Sequence, residues 1–160
     1  MPKRNLVIEP NQQSMVATCV FNAPRELVFK IMTDPELVPQ WWGPGALTTT
    51  VDKMEPWSGG SWRYIVRNTK GDEWTFHGVY HNIESPQSLV FTFEDEDLPG
   101  KVSLETTRLE DHEGGTLLTT ISVFQSIEDR DNMLKSGMQE GDQETMDRLE
   151  QLLSKVLVNS

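Results

Sequence analysis

The chain has 160 residues, with 36% apolar and 24% charged side chains and a formal net charge of −11. That length and composition suit one folded domain, and they exclude wholesale disorder or a pair of ordinary domains. The acidic balance excludes the basic face that a phosphate backbone or an anionic membrane surface requires, so no nucleic acid and no membrane is expected as a partner.

The charge is uneven. Residues 1–90 carry 8 basic and 9 acidic side chains, whereas residues 91–160 carry 6 and 16. The acid gathers in Glu94-Asp95-Glu96-Asp97, in Glu110-Asp111-His112-Glu113 and along the last segment, where it reads as a solvated surface. The single cysteine, Cys19, has no internal disulfide partner and reads as a small buried apolar residue. The opening MPKRNLVIEPNQQ lacks the apolar run of a signal peptide. Both features fit a reducing, cytoplasmic setting. No stretch approaches the ~18 apolar residues of a membrane span.

In chain order, residues 1–13 read as a polar arm with Pro2 and Pro10 as breakers, ahead of one domain over 14–158. Residues 14–22 are rich in β-formers and read as a strand. Pro24 followed by Glu26 starts a helix whose apolar stripe is Leu27, Val28, Ile31 and Met32. Asp34-Pro35-Glu36 opens a second short helical turn that ends at Trp41-Trp42-Gly43-Pro44. From there the apolar period changes to two. Strands are expected near 46–53, 61–68, 74–83, 88–94, 101–109 and 116–124, separated by turn signals such as Ser58-Gly59-Gly60, Lys70-Gly71-Asp72 and Leu98-Pro99-Gly100. Short turns between consecutive strands make an antiparallel meander. The last segment, 127–157, reads as one long amphipathic helix. Ser126 stands at its start, and Leu134, Met138, Gly141, Thr145, Leu149, Leu152 and Val156 recur at spacings of three and four. Gly137 and Gly141 are small where the stripe should be large. They imply either a close approach of the helix to its neighbours or space for a bound molecule.

The order of these elements resembles the helix-grip arrangement of the START/Bet v 1-like (SRPBCC) superfamily. Ala23-Pro24-Arg25-Glu26-Leu27-Val28-Phe29, Asp34-Pro35-Glu36 and Trp41-Trp42-Gly43-Pro44 resemble the opening of its branch related to the C-terminal domain of the activator of Hsp90 ATPase. Gly59-Gly60-Ser61-Trp62-Arg63-Tyr64, Phe76-His77-Gly78-Val79-Tyr80 and the closing segment from Ser136-Gly137-Met138 to Arg148-Leu149-Glu150 are similar to its later motifs. The resemblance implies an α+β fold, a curved antiparallel sheet of about seven strands around a long C-terminal helix. It also implies an apolar cavity between them, in which relatives bind lipids, sterols or polyketides and some act as cyclases or dehydratases. The Hsp90 activator carries a further Hsp90-binding domain for which 160 residues leave no room, so Hsp90 is not the expected partner. Exposed sheet edges and the habits of relatives leave room for a homodimer.

The aromatic candidates for the cavity wall are Trp41, Trp42, Trp62, Tyr64, Trp74, Phe76, Tyr80, Phe91 and Phe93, with Gly137, Met138 and Gly141 on the helix. Strand alternation puts Trp62, Tyr64 and Val66 on one face and Ser61, Arg63, Ile65 and Arg67 on the other. Trp74, Phe76, Gly78 and Tyr80 likewise oppose Thr75, His77, Val79 and His81. Alternation alone leaves open which set faces the helix. Arg63, His77, Thr119 and Ser122 are the polar candidates for orienting a ligand. No metal or other cofactor is expected: no Cys-x-x-Cys or His-Glu-x-x-His spacing exists, and His77 and His81 stand about 13 Å apart along one strand, too far for one ion. No Gly-x-Ser-x-Gly elbow, dinucleotide fingerprint or P-loop is present. The expected function is binding of an apolar or amphipathic small molecule. A cyclase-, dehydratase- or hydrolase-type enzyme and an Hsp90-activator-like interaction module are the alternatives. The enzyme lacks an evident pair, because His77 and Tyr80, three apart on a strand, face opposite ways.

Overall fold

The computed structural model describes residues 3–159. Pro2, expected as a breaker in the arm, lies outside the described residues. The elements run β1 (Asn5–Ile8), β2 (Ser14–Phe21), α1 (Arg25–Thr33), a single 3-10 turn (Val38–Gln40), β3 (Thr48–Met54), β4 (Ser61–Arg67), β5 (Glu73–Glu84), β6 (Ser88–Asp95), β7 (Val102–His112), β8 (Gly115–Val123), α2 (Ile127–Lys135) and α3 (Met138–Val158). All strands join one antiparallel sheet in the order β1-β2-β8-β7-β6-β5-β4-β3. The seven expected strands are present within a few residues of their expected bounds. The eighth, β1, comes from the segment expected to be a polar arm and pairs with β2 from Asn5↔Thr18 to Ile8↔Met15. Four residues beside Pro10 carry too little alternation to announce a strand, and the open edge of β2 supplies the reason to form one.

One face of this sheet is the core. Met15, Ala17, Cys19 and Phe21 on β2, Leu118 on β8, Leu109 on β7 and Leu89 on β6 are all buried, as are Leu149, Leu152 and Leu153 of α3 and Val28 and Ile31 of α1. Each leucine, isoleucine, valine, methionine or phenylalanine among them stabilises the fold by about 1.5–3 kcal/mol through its removal from water. Thr116, fully buried, donates its hydroxyl to the carbonyl of Ala23 at 2.6 Å and so ties β8 to the start of α1. Cys19 is 2% exposed, and burial pushes its thiol up to about 11, so it is an inert core residue.

The long helix expected over 127–157 is two helices. Ser126 caps α2 by accepting the N–H of Asp129 at 3.0 Å. α2 then ends at Ser136, and Gly137 takes φ +83°, the left-handed conformation that favours glycine, before α3 begins. The apolar spacing passes through this break, which is why periodicity alone misses it. α2 also clamps the N-terminal segment: Arg130, 4% exposed, donates to the carbonyl oxygens of Glu9 and Gln12. Among the described residues, no helix is long and apolar enough to cross a membrane.

Candidate functional site

The inner face of the sheet divides into two halves. On β4, β5 and β6 it is aromatic. Trp62 and Tyr64 are 3% and 5% exposed, and register places Tyr64 opposite Phe76 and Tyr80 opposite Phe91. Phe76 and Phe93 stack with ring centroids 5.3 Å apart, and Trp62 packs against Phe93 at 5.9 Å and Phe91 at 6.2 Å. Edge and tilted pairs of this kind add attraction beyond the area they bury. Above this wall lies the loop after the 3-10 turn. Trp41 is buried and donates its indole N–H to the carbonyl of Ile31 at 3.2 Å, which anchors the loop to α1. Trp42 is half-buried and closes edge-on over Tyr64 at 5.0 Å, with Phe76 at 5.6 Å. The adjacent Trp-Trp pair therefore splits into an anchor and a rim.

Between wall and loop lies a cavity of about 70 Å³ lined by Trp41, Trp42, Trp62, Tyr64, Tyr80, Phe91 and Phe93, together with Met32 of α1 and Leu89 of β6. Burial pushes the Tyr64 hydroxyl above the ordinary tyrosine range and the Tyr80 hydroxyl up to about 12, so both are neutral hydrogen-bonding groups. A wider groove of about 250 Å³ lies at the end of β2, beside the β7–β8 turn. Its mixed walls are open to water, with the His112 and Glu113 side chains 40% and 88% exposed, so the aromatic cavity is the better-built site.

Comparison with known proteins places this architecture. The family described as Activator of Hsp90 ATPase homolog 1-like protein matches residues 22–154. The chain belongs to this family. Its SRPBCC-type fold commonly binds hydrophobic ligands. A solution structure of an Arthrobacter aurescens protein is similar at 29% identity and a TM-score of 0.86, over 94% of this chain and 91% of that one. A Mycobacterium smegmatis protein shares the fold at 23% identity and a TM-score of 0.83, over 96% and 97%. So does a protein of the same family from Silicibacter pomeroyi, at 22% identity and a TM-score of 0.69, over 92% and 99%. No curated protein matches the chain.

The family motifs of this chain do not all converge on the cavity. Trp41, Trp42, Trp62, Tyr64, Tyr80, Phe91 and Phe93 line it as expected, and Phe76 packs behind them. Trp74 shares the face of Phe76 but stands opposite Val66, beyond the cavity lining. Arg63 and His77 are corrected to the outer face. They pair across β4 and β5 and bind Glu96, Arg63 through Nε at 2.8 Å and His77 through Nδ1 at 2.9 Å. The Arg63 guanidinium, more than any other neighbour, holds the Glu96 carboxyl down at about 2. Thr119 is also on the outer face, between Thr18 and Arg108, because its neighbour Leu118 takes the inner one. Gly137 is an exposed helix break, and Met138 is the half-buried first residue of α3, outside the cavity lining. Gly141 makes no room for a ligand either. A methyl group there would stand 3.3 Å from Pro44 Cγ, so its smallness lets the loop approach the helix.

Sequence reasoning missed Met32 and Leu89 in the lining, and it missed Glu105. On β7 and β8 the inner face turns polar: Ser103, Thr107 and Ser122 are buried there, and Glu105 stands opposite both Phe91 and Ser122. Ser122 is therefore inside, as expected, but it is engaged: its hydroxyl donates to Glu105 Oε1 at 2.8 Å. Glu105 Oε2 is buried without a partner. Burial raises this carboxyl to about 7 against the pull of Ser122 and Ser103, with Asp142 of α3 pushing the same way as burial and Arg4 opposing it. Arg4 reaches across from the N-terminal segment to Asp142 at 3.2 Å.

A carboxyl raised in the folded state favours folding while both states hold the proton, below its ordinary value of 4.5. As pH climbs, the unfolded chain releases the proton first, and this contribution is lost by the time the folded carboxyl ionises near pH 7. Glu105→Gln should therefore flatten the fall in stability between pH 4.5 and 7.5. It should leave the variant more stable than the parent at pH 8 by up to about 3 kcal/mol. Urea denaturation across that range checks it. Some slope should persist, because burial raises Asp142 as well.

Proposed function

We propose that the protein binds a small apolar or amphipathic molecule, of lipid, polyketide or aromatic-metabolite type, in the aromatic cavity between the sheet and the helical loop. The supporting observation is that cavity itself: about 70 Å³ enclosed by aromatic and aliphatic side chains, with a half-buried tryptophan at its rim. Space of that size is about half the ~150 Å³ that holds a benzene ring, so as it stands it takes only a group smaller than a ring. A larger ligand enters as Trp42 swings outward. Apolar burial drives such binding, and a few polar atoms set the orientation. An acid–base enzyme has less support, because Arg63 and His77 stand on the outer face.

Native mass spectrometry of the freshly purified protein, with a thermal-shift screen of fatty acids, sterols, flavonoids and polyketides, tests the reading. A copurified mass or a saturable rise in Tm supports it, since a ligand that binds the folded state raises apparent stability. A clean apo mass with no shift from any class turns it down. Trp42→Ala should cost about 1–2 kcal/mol, short of the ~3–5 kcal/mol of a truncated core tryptophan. It should also extend binding to bulkier members of whichever class is bound.

A further inference from the structure

The lining of the aromatic cavity includes a few side-chain nitrogen and oxygen atoms. The indole N–H of Trp41 is given to the Ile31 carbonyl, and Trp62 Nε1 is buried against Gly78, so neither is offered to a ligand. Trp42 stands at the rim. The polar atoms left on the fixed wall are the hydroxyls of Tyr64 and Tyr80, both residues of the lining and each 5% exposed.

These two hydroxyls are short of an acceptor. Burial keeps both protonated, and each is the other's hydrogen-bonding neighbour. Among the described residues, their one further partner is the Met54 sulfur on β3, 3.6 Å from the Tyr64 hydroxyl. The pair brings two protons, and one of them goes to the oxygen of the other tyrosine. Whichever tyrosine donates it, the second proton is left with a thioether, a weak acceptor, or with nothing. Buried polar groups are nearly always paired with a good partner, so this proton marks where an absent acceptor belongs.

We propose that the Tyr64–Tyr80 pair is the polar anchor of the cavity, and that it selects a ligand bearing a neutral carbonyl group, a ketone, ester or lactone. The carbonyl oxygen accepts the second tyrosine proton and brings no proton of its own. It is also smaller than a ring, so it suits a space of about 70 Å³ while the bulk of the ligand takes the place that Trp42 yields. A plain hydrocarbon leaves the proton where it was. An alcohol adds an acceptor and a proton together, so a chain of three hydroxyls again ends on an unplaced proton. A carboxylate finds no cation among the described lining residues, since Arg63 is held by Glu96 on the outer face, and it meets Glu105 beside Phe91. The inference rests on the small-molecule reading above and names the chemistry of its ligand.

Acetophenone and α-methylstyrene, which differ only by a carbonyl oxygen in place of a methylene, separate the two claims. Acetophenone labelled with 13C at the carbonyl is added to the full chain and followed by NMR. Bound to the parent, that carbon should resonate near its position in water, where the oxygen is hydrogen-bonded. In a cavity with no donor it moves upfield, toward its position in cyclohexane. In the variant carrying Tyr64→Phe and Tyr80→Phe the bound resonance should make that upfield move. There the ratio of acetophenone to α-methylstyrene affinity should also fall about five- to tenfold, the worth of one neutral hydrogen bond. Removing both hydroxyls together keeps the two rings and strands neither partner, so the variant should fold. If both probes bind the parent and the carbonyl resonance lies at its cyclohexane position, the tyrosine anchor is overturned and the apolar cavity stands. If neither binds, the small-molecule reading falls with it. The resonance position is read on the unaltered protein, so the result holds even where the variant does not fold.

Discussion

Gly78→Ala is expected to cost about 3 kcal/mol or more of stability, near the upper end for a single added methyl group in a packed interior. The new Cβ would meet the backbone of Thr92, its carbonyl carbon 2.7 Å away, and the indole of Trp62. Neither a strand backbone nor a ring wedged between Phe91 and Phe93 moves cheaply. For a chain of this size the loss corresponds to a fall in Tm of roughly 6–12 °C. Gly71→Ala is the control. Gly71 has φ +88° with open space around it, so alanine there meets only the left-handed backbone penalty of about 1–2 kcal/mol. Thermal melts of the two variants separate steric conflict from backbone preference. Equal losses would refute the crowding at Gly78.

Arg148→Gln should also have a large effect, because it unlatches the loop that roofs the cavity. From α3, the Arg148 guanidinium reaches carbonyl oxygens of Pro39, Gln40, Trp42, Gly43 and Pro44, the shortest to Gly43 at 2.9 Å. Burial lowers its pKa, but an arginine stays charged. Glutamine cannot span that set, and the orphaned carbonyls should destabilise the protein by about 2–3 kcal/mol. Lysine, a single point of charge, should recover only part. The loop also packs through Pro44 on Gly141, and Gly45 N–H donates to Glu144 Oε2 at 3.2 Å, so it should loosen rather than detach. Acrylamide quenching should report a more accessible Trp42, and ligand association and dissociation should both quicken. Unchanged quenching alongside lost stability would make Arg148 a purely structural tie.

These two positions show where sequence reading stops. Gly78 lies in a recognisable motif, yet its reason is the carbonyl of Thr92, fourteen residues away on the next strand. Arg148 looks like one more charge on an amphipathic helix, and its partners lie about a hundred residues earlier. The Gly137 break escaped because the apolar stripe keeps its spacing through the left-handed residue. Glu105 escaped because a lone glutamate on a strand reads as solvated until the roof over it is known.

What the sequence determined by itself was local and periodic. Alternation of period two marked six strands and enrichment in β-formers a seventh, Pro24 and Ser126 marked helix starts, and the ordered motifs placed the chain in its family. The aromatic residues of the cavity were also visible, because their enrichment on strands needs no partner to be seen. Only the tertiary structure decided which face each strand turns inward. Alternation defines two faces but not which is covered, so Arg63, His77 and Thr119 went outside while Glu105 and Ser122 went in. It alone brought Trp62, Gly78 and Thr92 to one point, and Arg148 to its carbonyls. Those contacts depend on strand register and helix placement, which join residues far apart in the chain and leave no trace in local pattern.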